Sequence, residues 1–148
     1  MKRVYPNKEF CIGCHLCELA CITVHSKSKD LIIAYTKERL EDGLKSCKRF
    51  QENGPTCVAL SCRHCDDPSC VAACISGALQ KDPETGTTTY DMDKCVGCWS
   101  CLMACPYGAI QRHPTLNKIV KCDLCKDREG GPACVAACPN RALIFEER

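Results

Sequence analysis

A chain of 148 residues with three Phe, one Trp and 18 Cys has little bulky apolar material for an ordinary core. A formal charge of +2 gives no case for nucleic-acid binding, and no apolar run approaches the ~20 residues needed to cross a bilayer. So many cysteines leave two classes, a secreted disulfide scaffold or a metal-cluster protein.

No apolar h-region precedes Cys11 and no twin-arginine pair is visible, so the cytoplasm is expected, where thiols stay reduced and open to metal. In chain order the cysteines form four quartets. The first is Cys11, Cys14, Cys17 and Cys21, followed by Ile22 rather than proline. The second is Cys62, Cys65, Cys70 and Cys74, followed by Ile75. The third is Cys95, Cys98, Cys101 and Cys105, followed by Pro106. The fourth is Cys122, Cys125, Cys134 and Cys138, followed by Pro139. Every quartet ends in the same three-residue step, a regularity that a disulfide framework does not need.

Between the quartets the elements are short. Cys14–Ala20 and Ser100–Ala104 read as helical turns. Leu31–Thr36 reads as a strand, and the segments Leu44–Phe50 and Thr56–Leu60 flank a turn at Gln51–Pro55. Leu79–Asp93 reads as a β-hairpin with its turn at Lys81–Gly86, and Arg141–Phe145 as a closing strand. The stretches Ile75–Leu79, Pro106–Ile110 and Pro139–Leu143 each look like a turn feeding a strand, with Gly77 and Gly108 free to take positive φ. The expected fold class is α+β, built of bacterial-ferredoxin-like units with clusters as core, short helices and β-hairpins.

The third quartet carries the chemistry most plainly. Three thiolates two residues apart, then a fourth three residues on and a proline, is the bacterial [4Fe–4S] run. The first three wrap one cluster, and the fourth reaches a neighbouring one in two-cluster ferredoxins. A structural zinc site wants paired CxxC motifs and gains nothing from the extra Cys. A zinc-stabilised interaction module is therefore the rival reading, separated by colour: iron–sulfur protein is brown. Four oxidised clusters at about −2 each would bring the net charge to roughly −6.

The short Leu79–Asp93 connector favours a nested pairing of quartets. It gives Cys11, Cys14 and Cys17 with Cys138; Cys62, Cys65 and Cys70 with Cys105; Cys95, Cys98 and Cys101 with Cys74; and Cys122, Cys125 and Cys134 with Cys21. A tandem pairing, one with two and three with four, stays open. Nested units would span about 58–112 and about 1–30 plus 113–148, with a β-rich insertion at about 31–57. Cys47 and Cys57 fall outside the quartets, roughly opposite each other on the expected hairpin, and read as small buried apolar residues. His64, between Cys62 and Cys65, sits where its ring can donate toward a cluster sulfur, while His15, His25 and His113 read as surface or supporting groups. Trp99 reads as a shield against water. With no GxGxxG loop, P-loop or HExxH, the chain reads as an electron carrier with no catalytic residues of its own.

The four quartets in this order, with Cys95–Ile110 and Lys121–Cys125, resemble the four-cluster subunits of the dimethyl-sulfoxide-reductase iron–sulfur family. The likeness spans Glu9–Phe145. It implies the nested pairing, four [4Fe–4S] clusters and an electron-transfer role. Within that family Cys11–Cys21 and His25–Asp30 look most like iron–sulfur subunits that accompany nickel carbon monoxide dehydrogenase. The resemblance therefore implies electrons taken from such an enzyme and passed to a flavin NAD(P) oxidoreductase or a hydrogenase. A tungsten or molybdenum aldehyde or formate oxidoreductase is the alternative donor. Ile22 and Ile75 depart from the family's proline without removing a ligand.

Overall fold

The computed structural model describes residues 1–148. The fold is α+β, assembled from four separate two-stranded antiparallel sheets and short helices. Strand β1 (Arg3–Pro6) pairs with β8 (Leu143–Glu146), Val4 facing Phe145, so the two ends of the chain close on each other. The other three sheets are local hairpins: β2 (Arg49–Asn53) with β3 (Thr56–Leu60), β4 (Leu79–Lys81) with β5 (Thr88–Tyr90), and β6 (Gln111–Arg112) with β7 (Ile119–Val120). Each stretch that follows a fourth cysteine in quartets two, three and four does run into a strand: β4, β6 and β8.

Helices form where the quartets turn. Helix α1 spans Leu16–His25 and carries Cys17 and Cys21 on successive turns of one face, while α5 spans Ser100–Ala104. Two further helices, α4 (Ser69–Ala72) and α6 (Ala133–Ala136), sit inside the looser quartets and each begin after a proline, Pro68 and Pro132. Proline fits there because the first helical turn leaves its N–H groups unpaired in any case. Helix α1 packs on α6, and α4 on α5.

The segment after α1 corrects the strand expected at Leu31–Thr36. It is helical throughout: α2 (Leu31–Ile33), a π-helical turn (Ala34–Glu38) and α3 (Arg39–Glu41). Capping overrides the β-branched composition. The Asp30 carboxylate accepts the Ile33 N–H at 3.0 Å, and the Glu38 carboxylate accepts the N–H groups of Lys27 and Ser28 at 2.9 Å each. The apolar residues Leu31, Ile32 and Ile33 stay exposed. The insertion thus holds one hairpin, not a β-rich unit.

That hairpin also separates Cys47 from Cys57. β2 begins only at Arg49, so Cys47 lies before the sheet, and Cys57 pairs across with Glu52. Cys47 is buried and Cys57 half-buried, and both are free thiols.

The core is thin. Twenty apolar residues are buried, of which eight are Cys and six are Ala; only Val4, Ile22, Leu79, Ile110, Ile119 and Leu143 are larger. The cysteines are concentrated where a folded domain of this size would hold Leu and Phe.

Candidate metal-cluster sites

Thiols from different quartets gather. Cys11, Cys14, Cys17 and Cys138 line one pocket, walled by Phe10, Phe50 and Leu143. Cys74, Cys95, Cys98 and Cys101 line a second, walled by Tyr90, Trp99 and Ile119. Cys62 and Cys105 lie close enough to Cys65 and Cys70 to push their thiols up, behind the larger effect of burial. Cys21 acts on Cys122 and Cys125 in the same way, while Cys134 is buried beside Cys17 as α6 packs on α1.

One loop geometry recurs. The residue before the second cysteine of each quartet has a positive φ: Gly13 at 70°, His64 at 46°, Gly97 at 72° and Leu124 at 60°. A left-handed residue there turns successive N–H groups toward one concave point, a nest suited to an anion. His64 and Leu124 hold this conformation at a cost that glycine avoids. At Gly97 a side chain has no room either, since an added Cβ would sit 2.5 Å from the Asn117 carbonyl oxygen. The substitution Gly97→Ala is therefore expected to destabilise the protein by about 1–3 kcal/mol. It should also lower iron retention, both read in a urea titration of the brown protein.

The positions after the fourth cysteine repeat as well. Gly77, Gly108 and Arg141 have positive φ, and each precedes a buried alanine. The N–H of Ala109 donates to Cys105 Sγ at 3.4 Å, and that of Ala142 to Cys138 Sγ at 3.2 Å. Burial works to raise the Cys74 thiol, but N–H groups of Leu79, Ser76 and Ala78 outweigh it and hold it down. Further N–H donors point at sulfur from His64 to Cys62, from Leu124 to Cys122 and from Cys47 to Cys21, at 3.4, 3.4 and 3.3 Å.

The surroundings favour neutral thiols until a cation displaces the proton. Burial pushes Cys17 and Cys101 up to about 11 and Cys122 up to about 12. Cys21 is held down instead, by hydrogen bonds from Cys47 and from His25, against its burial. His25 in turn is pushed up to about 11, mainly by its 3.0 Å contact with Asp123. Burial favours the neutral form of Asp123, yet the bonds from His25 and from the Cys125 N–H hold it at about 2. Ligand atoms of Cys21, His25 and Cys47 lie within 4.8 Å of one another, as do those of His25, Asp123 and Cys125.

Five buried side-chain donors have no partner in the protein, on Arg3, Lys48, Ser61, His64 and Thr88, and two of them stand beside the cysteines. His64 is fully buried, and Thr88 N–H donates to its Nδ1 at 3.0 Å, so the ring proton sits on Nε2, which meets nothing. Lys48 is 3 % exposed, and its Nζ also has no hydrogen-bond partner. Orphaned donors, N–H groups aimed at sulfur and anion-binding nests all fit a polyanionic iron–sulfur group.

A family profile described as "4Fe-4S dicluster domain" matches residues 54–148. The chain belongs to that family. It is a [4Fe–4S] protein. Among curated relatives it is 35% identical to the electron transport protein HydN of Escherichia coli K12, over 93% of this chain and 83% of the relative. It is 41% identical to the B subunit of anaerobic dimethyl sulfoxide reductase from the same strain, over 91% of this chain and 68% of the relative. It is 34% identical to the hydrogenase-2 operon protein HybA of Escherichia coli O157:H7, over 96% of this chain. The chain spans half the length of HybA. No helix is long and apolar enough to cross a membrane.

Several features of the dicluster chain escape sequence reading: Lys48, the His25–Asp123 pair, and the left-handed backbone at His64 and Leu124. The alanines were a missed signal, since Ala78, Ala109 and Ala142 each stand four residues after a fourth cysteine.

Proposed function

We propose that this chain relays electrons through four [4Fe–4S] clusters. Sites I to IV would be Cys11, Cys14, Cys17 and Cys138; Cys62, Cys65, Cys70 and Cys105; Cys95, Cys98, Cys101 and Cys74; and Cys122, Cys125, Cys134 and Cys21. Each cluster would supply a one-electron carrier; the protein supplies spacing, insulation and hydrogen bonds to sulfur.

What carries the reading is that each set of thiols touches the next. Cys70, Cys74, Cys101 and Cys105 pack together, linking sites III and II. Cys62 and Cys122 share one buried group, linking II and IV, and Cys17 and Cys134 share another, linking IV and I. The line runs III, II, IV, I. Its ends face water, for Cys98 and Cys14 are exposed while Cys62, Cys122 and Cys21 are buried. Trp99, with Arg112 stacked at 4.3 Å, covers the Cys98 end. Anaerobically prepared protein should contain about sixteen iron and sixteen sulfide per chain. Four irons or fewer would end the four-cluster reading.

The donor we propose is a nickel carbon monoxide dehydrogenase, supported by the likeness of Cys11–Cys21 and His25–Asp30, with a flavin NAD(P) oxidoreductase or hydrogenase as acceptor in the cytoplasm. The names of HydN, HybA and the dimethyl sulfoxide reductase B subunit favour a second reading, the same relay serving a hydrogenase or a molybdenum reductase. Mass spectrometry of the protein that co-purifies from the native source separates them. A carbon monoxide dehydrogenase supports the first; a hydrogenase or molybdenum enzyme replaces it as donor.

A further inference from the structure

Four lysines lie near the cysteine sites, and one is unlike the other three; Lys118 Nζ donates to the Cys95 carbonyl oxygen at 2.5 Å. Lys81 Nζ donates to the carbonyl oxygens of His64, Cys65 and Gly86 at 3.1, 2.6 and 2.6 Å. Lys121 Nζ donates to those of Thr88 and Cys122 at 2.6 and 3.1 Å. Lys48 Nζ has no such oxygen, is shut from solvent, and forms no ion pair with a carboxylate. An unpaired ammonium taken out of water costs several kcal/mol, so a folded chain that keeps one there implies an anion.

The position of Lys48 says which anion. The chain is fixed on both sides of it. Cys47 N–H donates to Cys21 Sγ at 3.3 Å, Cys47 Sγ donates to the Lys121 carbonyl at 3.4 Å, and the Gln111 amide grips the carbonyls of Ser46 and Lys48 at 3.1 and 3.0 Å. Cys47 is buried with Cys21 and Cys122, both assigned to site IV, and with Cys62 of site II, and of these only Cys21 accepts its N–H.

We propose that Lys48 is the internal counter-cation of cluster IV, and that it raises the reduction potential of that cluster. This rests on the four-cluster assignment. Reduction adds one electron to a cluster from an external donor; no bond is made or broken at Lys48, whose protons stay in place. A fixed positive charge stabilises the more negative, reduced state. His64 plays no part in this bias, since its neutral ring supplies a hydrogen bond and no charge.

The experiment is a mediated redox titration of holoprotein with dithionite as reductant, followed by electron paramagnetic resonance, on wild type, Lys48→Gln and Lys48→Arg. Lys48→Gln should lower one of the four one-electron steps by at least tenfold in equilibrium constant, or about 59 mV. Lys48→Arg should keep it near wild type. If Lys48→Gln loses one cluster outright while Lys48→Arg holds all four, a required charge is equally established. Unchanged potentials in a fully loaded Lys48→Gln protein overturn the proposal, as does equal damage in Gln and Arg variants, which marks a packing role. Wild-type iron content is read first. A shortfall there strikes the four-cluster assignment, whereas a full complement with no shift strikes Lys48 alone.

Discussion

Stripping the iron from this protein should unfold it. A chelator added to the reduced holoprotein is expected to abolish most of the far-ultraviolet circular dichroism and to swell the hydrodynamic radius toward that of a denatured chain. The secondary structure cannot stand by itself. The longest helix, α1, has ten residues, and every sheet has two strands. Isolated helices shorter than about 12 residues and isolated hairpins are both marginal in water. Only six large aliphatic side chains are buried, each contributing about 1.5–3 kcal/mol, and the rest of the apolar interior is Cys and Ala. Once the iron is gone, the buried thiols regain protons, and the nests and N–H groups that faced an anion are left without one. An iron-free protein with native dichroism and radius would sink the view that clusters form the core.

The second large effect concerns Cys138. Replacing it with Ala should cost a cluster to which its own quartet contributes no other ligand, with iron falling from about sixteen toward about twelve per chain. Cys138 lines the cavity of Cys11, Cys14 and Cys17, some 120 residues away in sequence, because β8 returns the C-terminal end to β1. The sharpest form of the test is a double variant. Cys14→Ala and Cys138→Ala should each remove the same paramagnetic signal, and together they should remove no more than either does singly. A further drop to about eight irons in the double variant would place the two residues on different clusters. It would return the tandem pairing, in which Cys138 serves Cys95, Cys98 and Cys101.

Much of the fold was legible because ligand spacing is local. The turn at Lys81–Gly86 and the helix at Ser100–Ala104 follow from nearby residues, and the structure has both. Leu31–Thr36 misleads because β-branched residues suggest a strand, whereas Asp30 caps the first helical turn and Glu38 ties the segment back to the loop at Lys27 and Ser28. Cys47 and Cys57 mislead for a related reason. The hairpin starts at Arg49, two residues beyond Cys47, and so sends Cys47 toward Cys21 and leaves Cys57 beside Gly13. Gly13 and Gly97 advertise their left-handed backbone, but His64 and Leu124 adopt it with nothing in their identity to say so.

The sequence by itself determined the α+β class and the iron–sulfur chemistry, because thiol spacing along a chain dictates which sulfurs share a turn. Which quartets meet, and what surrounds them, was decided only in three dimensions. The closure of β1 on β8 and the packing of α1 on α6 bring residues together across the whole chain. The folded chain also buries the Lys48 ammonium, and no local pattern could have foretold a lysine without a partner.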